Sequence, residues 1–275
     1  MVPNVSHLPS SLILVGAGKM GGSMLEGWLK VGMNPQGVAV LDPRPSEAMV
    51  RFCAERGIAL NPASPAAPDV LVLAIKPQML DEAAPALNGC LGPQTLVISI
   101  LAGKTIGDLR SRLPASGAIV RAMPNLPASI GRGATGAAAN DQVSEEQRLM
   151  ADALLASNGI VEWLPSEDLI DAVTAVSGSG PAYVFHLVEC LAEAGAAAGL
   201  PRELAERLAR ATVTGAGELL FQSDLTPATL RQNVTSPGGT TAAALEVLMR
   251  DPDGLKALMR EAVAAAKRRA EELAG

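Results

Sequence analysis

The sequence predicts two halves, the first α/β and the second all-helical, on three observations. Short apolar runs alternate with helical patterns from Leu12 onward, a glycine-rich turn joins the first run to the first helix, and beyond about Pro165 strand patterns cease. Alternation of this kind marks βαβ units and a parallel sheet. The boundary assigns residues 1–165 to the α/β domain and 166–275 to the helical one.

Leu12-Ile13-Leu14-Val15 predicts the first strand, residues 20–30 the first helix, Val38-Ala39-Val40-Leu41 the second strand and 46–56 the second helix. A strand over 70–75, a helix over 79–87 and strands over 95–100 and 118–121 follow. The runs 70–75 and 95–100 are nearly continuous β-branched and apolar residues without alternation, as strands covered by helices on both faces require. In the second half the patterns over 168–176, 182–198, 202–221, 227–232, 241–250 and 253–274 read as helices. Pro181 and Pro201 near first helical positions, and Gly199 just past a helix end, agree with these bounds. Segment 182–198 carries only Glu189 and Glu193 as charges, both on one face. A helix apolar nearly all round needs cover on nearly all sides. The helical half is too small to provide it while also packing on a sheet domain, which predicts a homodimer with intercalated helices.

Composition excludes several classes. With 275 residues, 48% hydrophobic and 18% charged, the chain is neither disordered nor collagen-like. Its 22 basic and 28 acidic residues give a net charge of -6, and no basic cluster is longer than Lys267-Arg268-Arg269, so nucleic acid is not an expected partner. Cys53, Cys90 and Cys190 show no paired spacing and His7 and His186 lie far apart, which argues against a disulfide framework and against a metal site. No apolar stretch is long enough to span a bilayer and residues 1–11 lack the charge pattern of a signal peptide, so no membrane association and a soluble, cytoplasmic chain are expected. Residues 1–11 are expected to form a loose tail.

The turn Gly16-Ala17-Gly18-Lys19-Met20-Gly21 is GxGxxG placed directly after a strand and opening a helix, the context that a dinucleotide-binding, Rossmann-type domain needs. Gly16 permits the tight turn, Gly18 leaves room for a pyrophosphate and Gly21 lets helix approach strand, while the helix start presents free N–H groups to the phosphates. The second strand ends at Asp42, where a carboxylate accepts the ribose hydroxyls of NADH, yet Arg44 two residues on is placed to hold the 2′-phosphate of NADPH. Both cofactors stay open on these residues. Lys76-Pro77, Ala102-Gly103 and Met123-Pro124-Asn125 also follow strand ends, where open α/β sheets place their ligands.

Two small-residue loops interrupt the helical half, Ser177-Gly178-Ser179-Gly180-Pro181 and Thr235-Ser236-Pro237-Gly238-Gly239-Thr240-Thr241. The second gathers hydroxyls and glycines at a helix start, where N–H groups converge on an anion such as a carboxylate. At these residues the sequence resembles the pyrroline-5-carboxylate reductases. The resemblance runs from Leu12 to the final helix and rests on the glycine-rich turn, Ala74-Ile75-Lys76-Pro77, Val120-Arg121-Ala122-Met123-Pro124-Asn125, Val176 to Tyr183 and Asn233 to Thr241. It implies NAD(P)H-dependent reduction of 1-pyrroline-5-carboxylate to L-proline, the last step of proline synthesis. It further implies that Ser236 and the N–H groups of Gly239 and Thr240 hold the substrate carboxylate, and that the Thr241 hydroxyl contacts the ring nitrogen and acts in catalysis. A dimer through the helical domain, assembled in many relatives into a pentamer of dimers, is implied as well. Thr240 stands where many relatives have alanine, which leaves a backbone role intact.

Hydride transfer to an iminium carbon asks the protein mainly for positioning, and demands neither a metal nor a strong general acid. A threonine donor suffices, and His186 and Tyr183 on the apolar helix read as packing residues. A β-hydroxyacid dehydrogenase shares the layout but needs a base, usually lysine, and the second half offers only Lys256 and Lys267, late in the chain. A noncatalytic dinucleotide sensor would not need the Ser/Thr-rich turn.

Overall fold

The computed structural model describes residues 5–274. They fall into two compact units, one made of the chain up to Gly178 together with the segment from Ala266, the other of Ser179–Ala265. The division falls later than the break expected after residue 165. Its physical reason is that Ile170 and Ala175 are buried in the first unit and that Arg121 pairs there with Glu167.

In the first unit, eight strands form one sheet: β1 (Leu12–Val15), β2 (Val38–Leu41), β3 (Ala59–Leu60), β4 (Val70–Leu73), β5 (Leu96–Ser99), β6 (Ile119–Met123), β7 (Gly133–Ala139) and β8 (Gly159–Trp163), in the order β3-β2-β1-β4-β5-β6-β7-β8. All neighbours run parallel except β6 and β7. Strands β1, β4 and β5 are buried at every residue, as expected of strands covered on both faces. Helices α1 (Lys19–Lys30), α2 (Glu47–Arg56), α3 (Leu80–Asn88), α4 (Ile106–Arg112) and α5 (Glu145–Ala156) supply the cover, and short α6 (Ile170–Val173) runs into a π-turn, Thr174–Gly178. One core cluster includes Leu12, Leu14, Trp28 and Leu154, a second Ile13, Val15, Leu80 and Leu109, and a small third Met123, Ala138 and Ile170. The buried Trp28 indole donates to the Leu154 carbonyl at 3.0 Å, tying α1 to α5.

Strands β7 and β8 lie where the sequence patterning predicts none. Gly133–Ala139 has no β-branched run because bulk is excluded: a Cβ on Gly136 would sit 2.8 Å from the Val173 side chain. The start of the chain also differs from expectation. Residues 1–4 of the expected tail lie outside the described residues, but the Ser10 N–H and hydroxyl and the Ser11 N–H all donate to one oxygen of Asp69, at 2.6–2.9 Å. Burial works to raise the Asp69 pKa, yet these hydrogen bonds outweigh it and hold the carboxyl below its ordinary value.

The second unit is helical, with α7 (Gly180–Ala197), α8 (Arg202–Gln222), α9 (Pro227–Asn233), α10 (Thr240–Leu248) and α11 (Leu255–Ala274), whose last turns belong to the first unit. The α7–α8 seam is built from small residues: Ala192, Ala205 and Ala209 are buried, and a Cβ on Gly195 would meet that of Ala205 at 3.2 Å. Within one chain this seam covers a single stripe of α7, leaving Phe185 56% and Leu187 47% exposed. Among the described residues, no helix is long and apolar enough to cross a membrane, and no cluster of metal-ligating side chains occurs.

Candidate active site

The glycine-rich turn leaves the carboxyl end of β1, between β2 and β4. Gly16 has φ +90°, and a Cβ there would lie 2.8 Å from the Ala74 carbonyl oxygen that follows β4. Gly21 has still less room, since its Cβ would fall 2.2 Å from the Gly16 carbonyl oxygen. Gly18, the N-cap of α1, is different: nothing lies within 4 Å of a Cβ built on it. Two of the glycines therefore serve close packing, whereas Gly18 faces open space at a helix start with no side-chain cap. A pyrophosphate fits such a cradle, because α1 directs unbonded N–H groups and a positive dipole end into it. Ala17 is buried, Lys19 is exposed at the first position of α1, and Met20 packs on the core.

Asp42 closes the other side of the turn. Its carboxylate accepts from the Ala17 N–H and from the Arg44 N–H, both at 2.9 Å. Asn61, at φ +50°, grips the Asp42 backbone from the far side. Two clefts meet at Asp42. One is an apolar slot of about 280 Å³ lined by Val15, Leu41, Ile75 and Met79, the other a cleft of about 450 Å³ reaching Gly18, Lys19, Arg44 and Ser46. The first suits a flat heterocycle and the second a phosphate-bearing sugar. Sequence reasoning passed over Asn61, although Asn61-Pro62 is a recognisable turn dipeptide.

The remaining strand exits are placed as expected at the carboxyl end of the sheet. Lys76 is exposed and caps a single turn that begins with Pro77. Ala102 is exposed beside Gly103, and Thr105 caps α4 reciprocally with Asp108. Asn125 is engaged within the unit: its carboxamide oxygen accepts from the Ala134 N–H at 2.9 Å and its nitrogen donates to the Ser177 hydroxyl at 3.1 Å.

In the second unit, the Ser/Thr-rich turn leads into α10. The Gly239 N–H, expected to hold the substrate carboxylate, instead closes the turn on the Ser236 carbonyl at 3.0 Å because the chain bends back there, and a Cβ on Gly239 would collide with the Ser236 hydroxyl oxygen at 2.4 Å. Gly239 is thus what lets that hydroxyl lie over the helix start. The Thr240, Thr241 and Ala242 N–H groups have no backbone acceptor among the described residues, and α10 has no side-chain cap. Ser236, Thr240 and Thr241 bring three hydroxyls to this turn and helix start, none with a hydrogen bond to another described residue. An anion with two oxygens fits this array. His186 pairs along α7 with Glu189 at 3.0 Å and approaches the Cys190 sulfur at 3.5 Å, away from the turn in sequence.

A Rossmann-type sheet with a glycine cradle, followed by a helical unit, defines an NAD(P)-dependent oxidoreductase. Residues 11–103 match the family described as NADP oxidoreductase coenzyme F420-dependent, and residues 167–273 match pyrroline-5-carboxylate reductase dimerisation. The chain is 41% identical over 266 residues to the pyrroline-5-carboxylate reductase of Pseudomonas aeruginosa, covering 96% of each. It is 47% identical over 205 residues to that of Synechocystis sp., covering 74% of this chain and 75% of the relative. Among solved structures, pyrroline-5-carboxylate reductase from Coxiella burnetii superposes with a TM-score of 0.89 at 36% identity, covering 97% of this chain and 99% of that one. The Plasmodium falciparum pyrroline carboxylate reductase with NADP bound gives 0.76 at 28% identity, over 96% and 98%. The chain belongs to the pyrroline-5-carboxylate reductase family.

Proposed function

We propose that this protein reduces 1-pyrroline-5-carboxylate to L-proline with NAD(P)H, the final step of proline synthesis. The observation that carries the reading is the Ser236–Thr241 turn, an anion cradle for a small acid in a chain that also holds a dinucleotide cradle at Gly16–Gly21. When bound, the reduced nicotinamide supplies a hydride to the C=N carbon, and the nitrogen gains or keeps one proton, which balances imine to amine.

The chain's own part is positioning. The Ser236 hydroxyl and the Thr240 N–H take the substrate carboxylate, with Gly239 making the space, and the Thr241 hydroxyl orients or delivers the proton at the ring nitrogen. An iminium carbon is already electrophilic, so a fixed threonine donor is sufficient. Gly16 to Gly21, Asp42, Arg44, Lys76, Pro77, Ala102 and Asn125 serve the cofactor end, Asn125 by shaping the loop after β6. A lysine base of the hydroxyacid dehydrogenase kind finds no support in Lys267, which is engaged by Glu271, and Lys256 is exposed in the first turn of α11.

The working unit is a homodimer formed through the helical domain, in which the exposed face of α7 is covered by a second copy, and which assembles into a pentamer of dimers in the cytoplasm. Steady-state oxidation of NAD(P)H in the presence of 1-pyrroline-5-carboxylate, with proline identified as product, tests the reading. No oxidation above a no-enzyme blank would overturn it.

A further inference from the structure

Asn61 is the one non-glycine residue with positive φ among those described, and it is fastened by three hydrogen bonds. Its N–H donates to the Val40 carbonyl at 2.8 Å, its carboxamide oxygen accepts from the Asp42 N–H at 2.9 Å, and its carboxamide nitrogen donates to the Asp42 carbonyl at 2.8 Å. Strand β3 ends at Leu60, so the side chain continues the β2–β3 pairing by one residue, with a carboxamide standing in for a peptide group. Left-handed backbone is tolerated by asparagine but carries strain, and strain kept in a well-bonded loop is found where a loop must hold one shape.

What the loop holds is Asp42. With the Asp42 peptide pinned, both carboxylate oxygens are turned back, one onto the Ala17 N–H of the glycine turn and the other onto the Arg44 N–H. The second contact is an Asx-turn, which fixes the path of Pro43 and Arg44. Asp42 lines both clefts and so marks the crossing from the apolar slot to the phosphate-sized one. Each oxygen keeps a free lone pair, but the two N–H bonds fix the direction of the carboxylate and limit how it can turn toward ribose hydroxyls. The Arg44 guanidinium, by contrast, lines the cleft beside Ser46 and forms no ion pair with another described residue.

We propose that Asn61 is a specificity-positioning residue that, by pinning Asp42, turns this site toward a dinucleotide bearing a ribose 2′-phosphate and away from its unphosphorylated counterpart. It rests on the reading of the glycine turn as the cofactor cradle. Without the Asn61 carboxamide the Asp42 peptide is no longer pinned, and its carboxylate, kept only by the Ala17 and Arg44 N–H groups, turns more readily into the crossing, where it meets a phosphate as a like charge and ribose hydroxyls as an acceptor.

Calorimetric titration with NADPH and with NADH tests this without turnover. Asn61→Gly keeps the left-handed backbone and removes only the carboxamide, so the fold is retained. Repulsion between the released Asp42 carboxylate and the 2′-phosphate is expected to weaken NADPH binding about tenfold, with NADH affinity unchanged or raised. Asn61→Asp retains the acceptor but places an oxygen against the Asp42 carbonyl, and is expected to shift the ratio in the same sense. In an Asp42→Ala background, Asn61→Gly is expected to leave the NADPH to NADH ratio unchanged, because the charge it controls is gone. An unaltered ratio in both single variants, or an equal shift with Asp42 absent, overturns the proposal. Failure of the unsubstituted chain to bind either dinucleotide overturns the cofactor reading itself.

Discussion

Gly18→Ala isolates the cofactor cradle from the packing that surrounds it. The new methyl meets no atom within 4 Å, and the residue already has φ -68° and ψ -165°, which alanine adopts freely. Replacing glycine by alanine at an N-cap costs on the order of 0.5–1 kcal/mol, so the unfolding midpoint should stay within about 4 °C of the unsubstituted chain. The methyl nevertheless occupies the space that a pyrophosphate needs against the N–H groups of α1. Holding the phosphates about 1 Å further out weakens short charge-assisted hydrogen bonds, each worth about 1.5–3 kcal/mol, so the Kd for NADPH should rise roughly 10- to 100-fold. Gly21→Ala serves as the contrast. Its methyl would stand 2.2 Å from the Gly16 carbonyl oxygen and 3.1 Å from the Ala74 Cβ, so α1 must move off the sheet, at about 1–3 kcal/mol of overpacking. That variant should lose stability and affinity together. Isothermal calorimetry and thermal unfolding on both proteins separate the effects. A Gly18→Ala protein that is stable and binds NADPH with unchanged Kd would refute the argument, since the phosphates would then lie elsewhere.

Three other expectations concern the second unit and the acid limit. Thr241→Ala should lower kcat by about 10²-fold while leaving NADPH affinity within about twofold, and single-turnover kinetics at unaltered rate would remove the hydroxyl from proton handling. Phe185→Glu, on the exposed face of α7, should convert the dimer to monomer in light scattering, whereas a retained dimer would place the interface elsewhere. Asp69 has a depressed folded-state pKa, so its contribution is present above the unfolded carboxylate pKa and is lost as pH falls through the folded one. The urea midpoints of Asp69→Ala and the unsubstituted chain should therefore differ at pH 7 and converge below about pH 4, and a gap that stays constant with pH would exclude the Ser10–Ser11 tether as its source.

Much of the α/β half was legible because local pattern and tertiary role coincide there. Continuous apolar runs at 12–15, 70–73 and 96–98 can be satisfied only between two layers of helices, and GxGxxG admits few other geometries after a strand. Strand β7 was illegible for the opposite reason. Its glycines and alanines answer to the crowding of Val173 against Gly136, a constraint that exists only once α6 lies on the sheet. In the candidate site, the turns at 16–21 and 236–241 stand out by residue type alone, and their roles are what the Gly18→Ala and Thr241→Ala variants test. The engagement of Asn125 by Ala134 and Ser177 does not stand out so, since these partners are far apart along the chain.

The amino-acid order alone determined the two-part layout, the glycine-rich turn at the start of α1 and the hydroxyl-rich helix start, because each follows from backbone conformation and hydrogen-bonding capacity within a few consecutive residues. Tertiary structure alone decided the antiparallel β6–β7 pair, the fastening of Asp42 by Asn61 and the extension of the first unit to Gly178. Those features depend on which distant groups meet, and hydrogen bonding between residues 13 to 19 apart is a property of the packed chain rather than of any stretch of it.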